Sequence, residues 1–196
     1  MESNFDVILL LIKDHKFDES IEYLNKLPPE DKSSFDYYYL KGVSYLNLNK
    51  FNHAIENFSL AIDIKDNDFI VYHFRGISYL KLNKFYEAKK DFNKLISLKS
   101  DFPEVYNNLG FLLYGAGKNE DAIKNFTKAI KLNKNFKQAI SGLINTLSHT
   151  ENVEINNSEI ISIHNKINKI NFYYSSFEYI ENKNIKNLFK KANDIV

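Results

Sequence analysis

Five histidines, His15, His53, His73, His149 and His164, are the side chains of this chain best suited to proton transfer or metal binding near neutral pH. Their spacing supports neither role. No HExxH pair places two imidazoles on adjacent helical turns, and no other ligand interval recurs. His73 could hydrogen-bond in a groove, but a partly exposed polar side chain is the simpler reading. Cysteine is absent, which removes disulfides, thiol nucleophiles and thiolate-held zinc. No P-loop, Gly-x-Gly-x-x-Gly or Gly-x-Ser-x-Gly occurs, and Gly115-Ala116-Gly117 reads as a turn between helices. Lys124, Lys128, Lys131, Lys134 and Lys137 form a basic stripe that could touch phosphate or an acidic protein, but a solvated face explains it more simply. No acid is paired with a base for catalysis. The chain therefore reads as a non-enzyme that needs no cofactor and no metal.

The bulk composition agrees. Hydrophobic residues make up 44% of the 196 positions, enough for a packed interior, so wholesale disorder is excluded. A net charge of +1 argues against a dedicated nucleic-acid surface. The start lacks the basic flank of a secretory signal, and the apolar run Val7 to Ile12 closes at Lys13-Asp14, too short to span a bilayer. These features point to a soluble, cytoplasmic protein without a membrane span.

What must position any functional surface is a repeat. Lys16, Lys50, Lys84 and Lys118 recur at 34-residue steps, as do Gly42, Gly76 and Gly110. Ser20, Ala54, Ala88 and Ala122 are each followed four residues later by Leu24, Phe58, Phe92 and Phe126. Such a period marks stacked supersecondary units, none of which can bury its apolar face alone. Within 35–68, Tyr38, Gly42 and Tyr45 fall on one helical face, Asn47 to Lys50 breaks the pattern, and Phe51, Ala54, Phe58 and Ala61 form a second stripe. Two amphipathic helices joined tightly make a helical hairpin. A glycine inside a helix costs roughly 1 kcal/mol relative to alanine, so its recurrence implies a bulky neighbour pressing on the backbone.

Tyr38…Gly42…Tyr45…Ala54…Phe58…Ala61 resembles the tetratricopeptide repeat, W-x2-L-G-x2-Y…A-x3-F…P. Tyr72…Gly76…Tyr79…Ala88…Phe92…Leu95 and Tyr106…Leu109-Gly110…Leu113…Ala122…Phe126…Ala129 are the second and third copies. Tyr stands for the family's Trp, Lys41 and Arg75 replace the Leu before Gly, and Asp66, Ser100 and Lys134 replace the closing Pro. The resemblance implies an all-α, right-handed α-solenoid. Residues 1–34 read as a degenerate N-terminal hairpin, with Ile8 at the glycine position and Pro28-Pro29 ending it. Residues 35–68, 69–102 and 103–136 form three repeats. Residues 137–196 read as a degenerate repeat and C-terminal capping helices: Gln138 to Leu147, a helix capped by Ser158 carrying Ile160, Ile163, Ile167 and Ile170, the ring-rich 172–180, and a stripe of Ile185, Leu188, Ala192 and Ile195.

In that family the concave wall is lined at positions 2, 5, 9 and 12 of each repeat. Carried over, this gives Asp36, Tyr39, Val43 and Leu46, then Ile70, His73, Ile77 and Leu80, then Glu104, Asn107, Phe111 and Tyr114. A contiguous apolar and aromatic surface of this kind marks a binding site; the alternatives are packing on neighbouring first helices, or cover by the chain's own C-terminal helix. Some family members hold a peptide's terminal carboxylates with Lys and Asn, Asn, then Lys and Arg. Here those positions hold Tyr39 and Val43, Phe74, and Glu104 and Asn108; one repeat later they hold His73 and Ile77, Asn108, and Gln138 and Gly142. No carboxylate-clamp chaperone tail is expected. The function implied is a protein–protein interaction module binding a partner's peptide or helix, as adaptor or scaffold. A self-associating structural subunit and a chaperone of a secreted or assembly protein are the other readings.

Overall fold

The computed structural model describes residues 4–150. The secondary structure among them is helical: α1 (Asn4–Lys13), α2 (Phe17–Lys26), α3 (Phe35–Asn47), α4 (Phe51–Ile64), α5 (Phe69–Lys81), α6 (Phe85–Leu98), α7 (Pro103–Gly115), α8 (Asn119–Leu132) and α9 (Lys137–Ser148), with a short 3-10 turn at Asp31–Ser33. The described residues fall into two compact units that divide after Asp101. The first holds the hairpins α1/α2, α3/α4 and α5/α6; the second holds the hairpin α7/α8 with α9 packed on both its helices. The fold class is an all-α solenoid of tandem helical hairpins, as expected. None of the described helices is long and apolar enough to cross a membrane. Expectations for Ser158, the 160–170 stripe, 172–180 and 185–195 lie outside the described residues.

Each hairpin turns on the same device, four times over. His15, Asn49, Asn83 and Gly117 have positive φ of 59°, 58°, 58° and 71°. The next N–H, on Lys16, Lys50, Lys84 and Lys118, donates back to the carbonyls of Leu11, Tyr45, Tyr79 and Leu113 at 2.8–2.9 Å. This is a Schellman closure, which satisfies carbonyls that a helix end would otherwise leave open. The recurring lysine thus marks a backbone event, preceded by His, Asn or Gly, residue types that enter the left-handed region more readily than most.

The core explains the glycines. A Cβ on Gly42, Gly76 or Gly110 would stand 2.6, 2.5 and 2.6 Å from Cε1 of Phe58, Phe92 and Phe126, rings that are fully buried. Each ring needs the space that only glycine leaves. In the second unit Gly142 of α9 also faces Phe126, at 2.5 Å by the same measure, so that ring sits between two glycines. In the degenerate first hairpin the volumes are redistributed: Ile8 and Leu24, both fully buried in one cluster, share the space a glycine and a phenylalanine divide elsewhere. Ser20, which replaces the small alanine, is also fully buried, and its hydroxyl meets that of Ser44 at 2.9 Å.

Candidate protein interface

In the first unit, side-chain oxygens set the starts of the two first helices of the full repeats. Ser34 accepts from the Tyr37 N–H at 3.2 Å and Asp68 from the Ile70 N–H at 3.2 Å, satisfying donors that a helix N-terminus leaves open. On α3 the four expected positions diverge. Asp36 is exposed, while Tyr39, Val43 and Leu46 are half-buried and pack against the cluster around Ala54, Phe58, Ala61 and Val71. Tyr39 lies parallel to Phe35 at 5.8 Å, and its ring is 6.4 Å from Phe58 and 6.3 Å from Phe74. Burial, then the charge of Asp68, raises its hydroxyl pKa. Tyr39 therefore serves the core as much as the wall. On α5, Ile70 packs on the same cluster, and Ile77 and Leu80 are half-buried.

His73 departs from the sequence reading as a partly exposed side chain: it is only 7% exposed. Its position on α5 turns the ring inward against Phe74, 5.4 Å away. Burial lowers its pKa to about 4, because the imidazolium would lose its hydration there. The folded state thus disfavours the proton that the unfolded chain binds near pH 6.5. Stability is intact above pH 6.5, falls as the pH drops from 6.5 towards 4, and levels off below that, with a total loss of about 3 kcal/mol. A His73→Phe variant should flatten this segment of the curve relative to the parent when urea unfolding is compared at stepped pH.

In the second unit, α7 carries Glu104, Asn107, Phe111 and Tyr114. Phe111 is 43% exposed, with its ring edge-on to Phe126 at 4.9 Å. Tyr114 is half-buried, and its hydroxyl lies 3.5 Å from Nδ1 of His149. Glu104 is half-buried and Asn107 only 7% exposed. Asn107 thus lies deeper than the aromatic Phe111 and Tyr114. The stripe Lys124, Lys128, Lys131, Lys134 and Lys137 is exposed, as a solvated face requires. Among the described residues, no group of three or more His, Asp or Glu could hold a metal ion.

Residue spacing does not reveal the polar structure at the two positions that replace leucine. Arg75, the single arginine of the chain, donates from Nε and Nη2 to both oxygens of Asp91 at 2.8 and 2.7 Å, and from Nη1 to Ser59 Oγ at 3.0 Å. Burial works against its charge, but the bond and charge of Asp91 outweigh this and raise its pKa. Lys41 makes the lesser version, bonding Asn25 Oδ1 at 2.9 Å and the Tyr37 hydroxyl at 2.8 Å. Both first helices are thereby tied to the helix before them. In the third copy Leu109 is buried and apolar.

The tetratricopeptide repeat family models match residues 35–68, 70–102 and 103–136, together just over half of the sequence. The chain belongs to the tetratricopeptide repeat family. Its class is therefore that of a repeat scaffold for protein interaction. MamA from Desulfovibrio magneticus is similar in fold, with a TM-score of 0.71 at 16% identity over 91% of this chain and 99% of that one. The Arabidopsis OM64 tetratricopeptide domain gives 0.57 at 20% identity over 59% and 96%. The first such domain of Spaghetti (RPAP3), solved with the HSP90 peptide SRMEEVD, gives 0.54 at 24% over 56% and 86%. No curated relative matches the chain.

Proposed function

We propose that this protein is a non-catalytic adaptor or scaffold that binds a peptide or helix of a partner protein on the groove face of its first helices. The observation that carries this reading is the incomplete burial of apolar side chains there. Val43, Leu46, Ile77 and Leu80 in the first unit, and Phe111 and Tyr114 in the second, retain accessible surface. Affinity comes from these side chains, and register from Asp36 in the first unit and Glu104 in the second. Tyr39, Ile70 and His73 act mainly by shaping the wall. The clamp positions hold Tyr39, Val43, Phe74, Glu104 and Asn108, so a guest's terminal carboxylates would meet apolar surface and a glutamate. The peptide named with RPAP3 is that protein's guest, not a model for this one.

The test is selection of a randomised peptide library against the full chain, followed by affinity measurement. Paired Ile77→Glu and Leu80→Glu should weaken the selected peptides at least about 30-fold, because two buried charges enter an apolar contact. Both residues lie on the helix surface, so the thermal transition should stay cooperative. Unchanged affinity would refute the assignment of the face. A second reading, self-association, is favoured by Leu9 and Leu10, about half exposed side by side on α1. A concentration-dependent sedimentation coefficient that Leu9→Lys abolishes would support it, and a monomer at all concentrations would refute it.

A further inference from the structure

Two acceptors on α7 have no donor among the described residues. They are Glu104 Oε2 and Asn107 Oδ1, both sealed from solvent. The residues are three apart, so their side chains emerge from one face of the helix, with roughly 5–6 Å between Cβ atoms. Phe111 and Tyr114 continue that face four and seven residues beyond Asn107. A buried acceptor left open is costly, and natural proteins keep few of them. An acid in the first turn is favourable to the helix dipole, which explains a glutamate at 104 but not the closing-off of its oxygen. It explains nothing about Asn107, which is only 7% exposed in the middle of the helix. Lys128 Nζ lies over the Tyr106 ring at 5.8 Å and serves that ring rather than these oxygens.

We propose that Glu104 and Asn107 form a cation-reading subsite, in which the guest peptide contributes a lysine or arginine side chain. The inference rests on the groove reading above and names the chemistry of its guest. Carboxylate and amide oxygens both accept and neither donates, so the complementary group carries several N–H donors and a positive charge. A carboxylate guest would be repelled, and a neutral hydroxyl would leave the charge unmatched. Phe111, 43% exposed on the same face, offers an apolar surface for the aliphatic stem of such a side chain. Glu104 is itself only half-buried, so its carboxylate lies within reach of a guest.

The probes are peptides selected from the randomised library on the full chain. Peptides that bind the first-helix face are expected to share one basic residue. Exchanging it for norleucine, which keeps the stem and removes the charge, should weaken binding by about tenfold to a hundredfold, the range of a hydrogen-bonded charge. Glu104→Gln and Asn107→Leu should each erase most of that difference. Asn107→Leu should also leave the melting temperature unchanged or raise it, since it removes an unmet acceptor. Face-binding peptides that tolerate norleucine would overturn the cation subsite while leaving the groove intact. An Asn107→Leu variant that melts several degrees lower would overturn it too, by showing an internal role for the amide. Selection of no peptide sensitive to Ile77→Glu and Leu80→Glu would overturn both readings together.

Discussion

Arg75→Leu is expected to lower the unfolding free energy by about 3–5 kcal/mol, the cost of stranding a buried partner charge. Side-chain exposure is 17% for Arg75 and 5% for Asp91, so water cannot replace what the guanidinium supplied. The pair is bidentate, and the third donor reaches Ser59, so one side chain joins α4, α5 and α6. Arg75→Lys should recover only part of the loss, because an ammonium cannot present the two parallel donors that match a carboxylate. The double variant Arg75→Leu with Asp91→Leu should be much less damaging than Arg75→Leu alone. Removing both charges together removes the stranded one. Urea unfolding of the four chains measures this directly. Equal losses for the single and double variants would show that the pair does not behave as a unit.

Phe92→Ala should cost about 3–5 kcal/mol, as truncation of a fully buried ring does when its surroundings cannot collapse. The mirror change, Gly76→Ala, should cost about 1–3 kcal/mol despite the better helix propensity of alanine. The new Cβ would stand 2.5 Å from Phe92 Cε1 and 2.9 Å from Cδ1. The two changes are coupled through that contact. In a Phe92→Leu background the far ring atoms are gone, so Gly76→Ala should become nearly neutral. A coupling of roughly 1–2 kcal/mol in the double-mutant cycle is the expected readout, and strict additivity would contradict the packing argument.

The hairpins were legible in the sequence because their packing and their punctuation share one period. Gly42 and Phe58 lie sixteen residues apart, as do Gly76 and Phe92, and Gly110 and Phe126. The glycine's cost could be inferred from its recurrence alone, before its partner was visible. The same sixteen-residue interval joins Asn25 to Lys41, Ser59 to Arg75 and Arg75 to Asp91, yet these contacts went unseen. They replace leucine once each, with different chemistry, so periodicity had nothing to reinforce. The caps at Ser34 and Asp68 were equally hidden, since neither begins an apolar run in the same way. The candidate face was legible only through family position. Spacing puts Tyr39 and Val43 on one stripe, but depth depends on neighbours that spacing does not reveal. Tyr39 is drawn into the core by Phe35, Phe58 and Phe74, and His73 by Phe74. Phe111 keeps its surface.

Methyl-resolved NMR of the full chain, titrated with a library-selected peptide, tests the binding face most directly. Saturable shifts are expected at Val43, Leu46, Ile77 and Leu80, on α3 and α5. Shifts confined to Leu60, Ile64 and Leu98, the exposed apolar residues of α4 and α6, would contradict it.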